Sequence, residues 1–181
     1  MKKVPIRIEG KKVVLRQLKL SDAPLVQKYL KDPVMTKWTL NIPYPYPKNG
    51  GVKFIAKARS LKRRNKAIVY AITQKDSDNI VGVISFQDFN WPDKCAELGY
   101  WLGKPFWGKG LMTDATQLML DLGFRVLKLH KIKAGVFADN PASIKVLMKN
   151  GLKREGVLRH RRMRFGKWRD TVLLAILETE F

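Results

Sequence analysis

The feature that most constrains this chain is the run Gly103-Lys104-Pro105-Phe106-Trp107-Gly108-Lys109-Gly110, set between a strand-like segment and the best helix in the sequence. Before it lies Cys95–Leu102, with the composition and length of a strand. After it, Leu111, Ala115, Leu118, Met119, Leu122 and Val126 recur at the spacing of one buried helical stripe, so the helix must pack on a sheet. Glycines let the backbone turn tightly and turn amide N–H groups toward an anion at the positive end of that helix. As a nucleotide-hydrolase loop the run matches two glycines and a lysine, but Gly110 stands where Ser or Thr must hold magnesium. A plain strand-to-helix turn with no ligand fits the local spacing as well.

The rest of the chain supplies more strands around this unit. Val13–Leu18 reads as a first strand, and Ser21-Asp22-Ala23-Pro24 opens a helix to about Lys31, with Ser21 as a capping hydroxyl and a first-turn proline. Pro33 to Gly51 reads as a loop in which Pro43, Pro45 and Pro47 interleave with Trp38, Tyr44 and Tyr46, too aromatic for a simple linker. A basic helix over Gly51 to Arg64 follows, then strands over Ala67–Thr73, Ile80–Phe89 and Cys95–Leu102 joined by turn signals, as in antiparallel hairpins. Beyond the striped helix come a strand over Ile132–Phe137, a short helix from Pro141 to Asn150, and a hairpin around Arg164-Phe165-Gly166-Lys167. The fold class is therefore α/β (α+β), organised as one domain over residues 1–181, with no internal repeat.

Composition excludes some chemistries. One cysteine, Cys95, and two imidazoles, His130 and His160, make an internal disulfide impossible and a zinc site hard to assemble, so no metal is expected. No apolar run approaches the ~20 residues of a membrane span, and Met1-Lys2-Lys3-Val4-Pro5 lacks the apolar stretch of a signal peptide; a cytoplasmic protein is the expectation. The 36 Lys and Arg against 15 Asp and Glu give a formal charge of +21, which points to an anionic partner or to a proteome-wide adaptation.

The run Leu98-Gly99-Tyr100-Trp101-Leu102, then Trp107-Gly108-Lys109-Gly110-Leu111-Met112-Thr113-Asp114-Ala115, and later Asn140-Pro141-Ala142-Ser143 with Gly151-Leu152, resembles the GNAT superfamily of acetyltransferases. Within it the likeness is to the Rim type, the ribosomal-protein N-terminal acetyltransferases, and it extends to the Gly166-Lys167-Trp168-Arg169-Asp170 hairpin. The resemblance implies a mixed, mostly antiparallel sheet flanked by helices, whose fourth and fifth strands splay to admit the pantetheine arm of acetyl-CoA. It implies that the pyrophosphate rests on the amides from Gly108 through Lys109, Gly110, Leu111 and Met112 to Thr113, beside Trp107. Met112 departs from the Gly or Ala common at its position. The resemblance further implies that a backbone N–H near Trp101 or Leu102 holds the oxyanion, and that Asn140 bonds the pantetheine arm. Ser143 matches a proposed acid for the CoA thiolate, and Trp38, Tyr44 and Tyr46 fall in the acceptor wall, with a hydrophobic lid over the sheet edge as the alternative for the three aromatics.

Acetyl transfer to an amine needs a deprotonated nucleophile, oxyanion stabilisation and, optionally, an acid for the leaving thiolate. Glu97 is the only carboxylate in the middle of its strand and shares a face with Cys95, Gly99 and Trp101, which makes it the candidate base; the alternative is an exposed carboxylate paired with a lysine. Asn140 before Pro141 has the signature of an N-cap, and Ser143 could equally cap its own turn. The tyrosine acid found one turn further along in many relatives is replaced by Leu147. Cys95 as an acyl carrier, and His130 and His160 as catalysts, are disfavoured.

Three acceptor readings remain open on the sequence. The first is a protein N-terminal α-amine, with Arg159, Arg161, Arg162 and Arg164 together with Arg59, Lys62, Arg63, Arg64 and Lys66 docking on ribosomal RNA. The second is a small amine, an amino sugar, antibiotic or polyamine, and the third is a basic RNA-binding module that has kept the fold. Monomer and homodimer are both open.

Overall fold

A computed structural model describes residues 4–39 and 41–181; Leu40, inside the aromatic loop, lies outside the described residues. The strands are β1 (Arg7–Glu9), β2 (Val13–Gln17), β3 (Ala67–Gln74), β4 (Ile80–Asn90), β5 (Cys95–Leu102), β6 (Lys131–Phe137), β7 (Lys153–Arg164) and β8 (Lys167–Leu177). They form one sheet in the order β1-β2-β3-β4-β5-β6-β8-β7. Every neighbouring pair is antiparallel except β5 and β6.

Helices cover both faces because the strands alternate apolar side chains to both. On one face α1 (Ala23–Leu30), α2 (Pro33–Trp38) and α3 (Gly50–Arg63) close over Ala71, Val83 and Trp101. On the other, α4 (Leu111–Asp121) and α5 (Pro141–Lys149) pack on Leu15, Ile72, Phe86, Leu98 and Ile132. The period of two is visible within β5, where Ala96 and Leu98 go to the α4 side and Trp101 to the α3 side. No helix among the described residues is long and apolar enough to cross a membrane.

Four local features differ from the sequence reading. Strand β1 precedes the first expected strand, so the strands expected as fourth and fifth are β5 and β6. Ser21 does not cap α1: a 3-10 turn over Leu20–Asp22 leads in, and Asp22 accepts from the Lys19 N–H at 2.8 Å. Asp22 also receives both terminal nitrogens of the buried Arg16, at 2.9 and 2.7 Å. A buried guanidinium needs a carboxylate more than a helix start needs a hydroxyl, and that need sets the chain path here. Third, Pro33–Trp38 is a short helix rather than loop, because the Asp32 carboxylate caps Val34 N–H at 2.9 Å ahead of Pro33. Finally, the apolar stripe of α4 continues beyond Asp121 as a wider π-turn over Leu122–Val126, which buries Leu122 and leaves Val126 half-buried.

The sheet opens where β5 and β6 meet. Only Cys95↔Lys131, Ala96↔Ile132 and Glu97↔Lys133 are in register. From Leu98 onward β5 is paired with β4 alone, and from Ala134 onward β6 is paired with β8 alone. The splay expected of these two strands is present, and it begins immediately after Glu97.

Candidate active site

One side of the opening is made of backbone. Gly103 N–H bonds the Val81 carbonyl at 2.9 Å, a 3-10 turn over Lys104–Phe106 follows, and the exposed Trp107 donates its indole N–H to the Leu102 carbonyl at 2.6 Å. Trp107 thereby latches the loop to the end of β5. Gly108 and Gly110 hold φ of +76° and +75°, the left-handed region that disfavours a side chain, and nothing lies within 4 Å of where a Gly108 Cβ would be. Leu111 and Met112 point into the core, at 5% and 6% exposure, so the bulk of Met112 is turned away from the loop. The first-turn amides of α4 lack helical partners, and the loop beside them is exposed.

Distant residues brace this cradle. The Asp114 carboxylate, in the first turn of α4, accepts from the backbone N–H of Lys12 at 2.7 Å, Val13 at 3.0 Å and Lys11 at 3.3 Å. That pins the β1–β2 turn to the helix and sets the Lys12 ammonium on the Lys109 carbonyl at 3.2 Å. Lys12 was not expected at the site; no local pattern joins it to a loop about a hundred residues away.

A second group faces the opening from α5. Asn140 is an N-cap, its side-chain oxygen accepting from Ser143 N–H at 3.2 Å. The Ser143 hydroxyl lies 2.8 Å from the phenol of Tyr100, which also donates to the Ser143 carbonyl at 3.3 Å. Tyr100 sits on β5 and Ser143 on the helix that follows β6, so the bond links the two edges of the opening. Burial pushes the Tyr100 phenol up to about 12, with the Ser143 bond opposing. Leu147, one turn on, is fully buried.

A cavity of about 650 Å³ is lined from the α1–α3 face and from both edges of the opening, with Glu97, Gly99 and Trp101 of β5 and Ser143 of α5 in its wall. Glu97 is half-buried and, among the described residues, has neither a hydrogen-bond nor an ion-pair partner. Burial pushes its carboxyl above its ordinary value and Asp88 adds to the push, while Lys133, Arg161 and Arg162 oppose it. The exposed, lysine-paired alternative is not what the geometry holds.

The aromatic residues divide. Trp38 and Tyr46 line the cavity, as does Phe54, which meets Trp101 edge-on at 6.2 Å between centroids. Tyr46 is half-buried, and burial pushes its phenol up to about 12. Tyr44 lies apart from them: it is exposed and packs edge-on against Phe165 of the β7–β8 hairpin at 5.4 Å. The Trp101 indole N–H is buried without a partner among the described residues. Arg164, grouped with the surface cations above, is instead spent inside the wall: its guanidinium donates to the carbonyls of Thr36, Thr39 and Ile42 at 3.1, 2.9 and 2.6 Å. His130 bonds Glu178 at 2.9 Å, and His160 is exposed and stacked on Trp168, both away from the cavity lining.

A sheet split beside an open glycine cradle, with a half-buried carboxylate where the split begins, is an arrangement suited to a transferase that takes its group from a phosphate-bearing donor. The family described as Acetyltransferase (GNAT) domain matches residues 12–153, and the chain belongs to it. It is an acetyl-CoA-dependent acetyltransferase, and the open glycine loop, first-turn amides and split sheet fit that donor. The chain is 32% identical to the Probable N-acetyltransferase YjcK of Bacillus subtilis, over 96% of this chain and 98% of that one. The Ribosomal-protein-serine acetyltransferase of Escherichia coli is 29% identical over 75% of both chains. The Spermidine N(1)-acetyltransferase of that organism is 30% identical over 55% of this chain and 54% of its own. Among solved structures, the microcin C7 self-immunity acetyltransferase MccE, in complex with acetyl-CoA and AMP, superposes with a TM-score of 0.85 over 96% of this chain and 97% of its own. At 24% identity that likeness concerns the fold.

Proposed function

We propose that this enzyme acetylates the α-amine of a protein N-terminus by direct attack, with Glu97 as the base. The observation that supports it is the unpartnered, half-buried Glu97 carboxyl with a raised proton affinity, on the wall of a cavity that reaches the opening in the sheet. Bound acetyl-CoA supplies the thioester acetyl group. Glu97 takes a proton from the incoming ammonium, directly or through water, so that a neutral amine is presented to the carbonyl carbon. As the C–N bond forms and the C–S bond breaks, the Ser143 hydroxyl, oriented by Tyr100, gives the leaving sulfur its proton and is refilled, through water, by the proton that the newly acetylated nitrogen sheds; the Glu97 carboxyl then returns its own proton to solvent. The amides of Gly108 to Thr113 bind the pyrophosphate at the α4 N-terminus, and Asn140 bonds the pantetheine arm. A β5 backbone N–H near Trp101 or Leu102 holds the oxyanion.

In this reading the enzyme works in the cytoplasm, where Arg59, Lys62, Arg63, Arg64 and Arg159 offer a ribosome-facing surface. The spermidine-acetylating relative raises a small-amine acceptor instead, but Lys53, Lys57 and Lys66 on the cavity wall repel a polycation. The test is acetyl transfer to a panel of peptides with free N-termini alongside spermidine and an amino sugar, read by mass spectrometry. Acetylation confined to peptide α-amines supports the proposal, and turnover of the small amines alone overturns it.

A further inference from the structure

We infer that the acceptor is an acidic peptide: an N-terminal residue of ordinary chemistry followed, within the next few positions, by Asp or Glu. This rests on the N-terminal reading above and names the kind of sequence the cavity selects. The observation is a set of cations around the acceptor cavity that the protein itself leaves unneutralised. Lys53 and Lys57, one turn apart on α3, and Lys66 just beyond it line the cavity with exposed side chains. None of the three has a carboxylate within ion-pair distance among the described residues. Outside the lining, Lys133 is the register partner of Glu97 on β6, and the Arg161 guanidinium of β7 comes within 3.8 Å of where a Cβ on the lining residue Gly135 would stand. Against them the lining offers two carboxylates, Asp88 and Glu97.

These cations are not placed for the donor's phosphates. The glycine cradle is at the start of α4, on the other face of the sheet from α3, and no residue from Gly103 to Thr113 lines the cavity. Like charges held around a concave wall create a field that an incoming ligand must match. A bare cationic amine is repelled by it, whereas a peptide with carboxylates behind its amine is drawn in and seated amine-first toward Glu97.

The same field favours the chemistry. Positive surroundings disfavour the ammonium, and an α-amine, at ~8, starts far nearer neutrality than a lysine or polyamine amine at ~10.4. The cavity therefore both orients an acidic N-terminus and helps it lose its proton.

The experiment compares matched peptides, Ser-Asp-Glu-Ala-Ala-Phe and Ser-Lys-Lys-Ala-Ala-Phe, in the wild-type enzyme and in a Lys53→Glu, Lys57→Glu variant. The expected result is a kcat/KM about tenfold or more in favour of the acidic peptide at low salt, shrinking as salt is raised. The double variant should lose or invert that preference while binding acetyl-CoA by calorimetry as the wild type does, which also reports that it is folded. Equal use of the two peptides overturns the inference and leaves the N-terminal reading standing. A phosphate-bearing small amine that is acetylated when neither peptide is overturns both.

Discussion

The two sides of the split sheet are built from different materials. Toward α4 the site is backbone: two left-handed glycines and the first-turn amides, within one continuous stretch braced by the β1–β2 turn. Toward α3 it is side chains, Glu97, Trp38, Tyr46, Lys53 and Lys57, gathered from segments far apart in sequence. In the proposed reading the backbone half takes the part of the donor that does not vary. Side chains can be exchanged without disturbing that grip, so the acceptor half is where specificity can drift among relatives named for ribosomal proteins and for spermidine.

Substitutions that hit one half and spare the other probe this division. Glu97→Gln should have the largest effect, a loss of about 10²- to 10⁴-fold in kcat/KM with unchanged affinity for acetyl-CoA. Because burial raises the Glu97 carboxyl, wild-type activity should climb with pH through a value above the usual carboxylate range, and the variant should lose that acid limb. A variant with the wild-type profile would assign proton removal elsewhere. Asp114→Ala strands three N–H groups of the β1–β2 turn and should cost about 1–3 kcal/mol in denaturant unfolding. It should also weaken acetyl-CoA binding by freeing Lys12, with the acceptor KM untouched.

Smaller still, Gly108→Ala forces a side chain into φ of +76° at a cost of about 1 kcal/mol, read as a several-fold weaker acetyl-CoA affinity by calorimetry. The mildest is the pair Ser143→Ala and Tyr100→Phe, each expected to lower kcat several-fold. If the two act as one unit, the double variant should lose no more than the worse single one. Full additivity would separate them.

The same division decides what was legible in the sequence. Strands β3 to β6 and helix α4 announce themselves through periods of two and 3.6, and the glycine loop through spacing, because each is a local backbone property. Asn140 followed by Pro141 is as local, and its cap is made as expected. Tyr100 meeting Ser143, Lys12 meeting Lys109 and Arg164 meeting three carbonyls depend on tertiary closure, and no short-range pattern encodes them. The same holds for Ser21, passed over because Asp22 answers the buried Arg16, and for Tyr44, drawn out of the cavity by Phe165. Asp32-Pro33 did carry a readable cap signal, obscured by the prolines and aromatics that follow it.

The three register pairs between β5 and β6 also have a mechanical meaning. They make the sheet two plates, of five and three strands, hinged along one short edge. Only a short ladder crosses that line within the sheet; the Tyr100–Ser143 bond adds a stitch across it, and the Arg164 bonds to the carbonyls of Thr36, Thr39 and Ile42 tie the plates from outside. In the proposed reading a donor laid along the gap would act as a rivet, holding the plates together until its departure after transfer. Amide hydrogen exchange should therefore slow along β6 and the far half of β5 when the donor is bound, while β3 at the centre of the larger plate stays as it was.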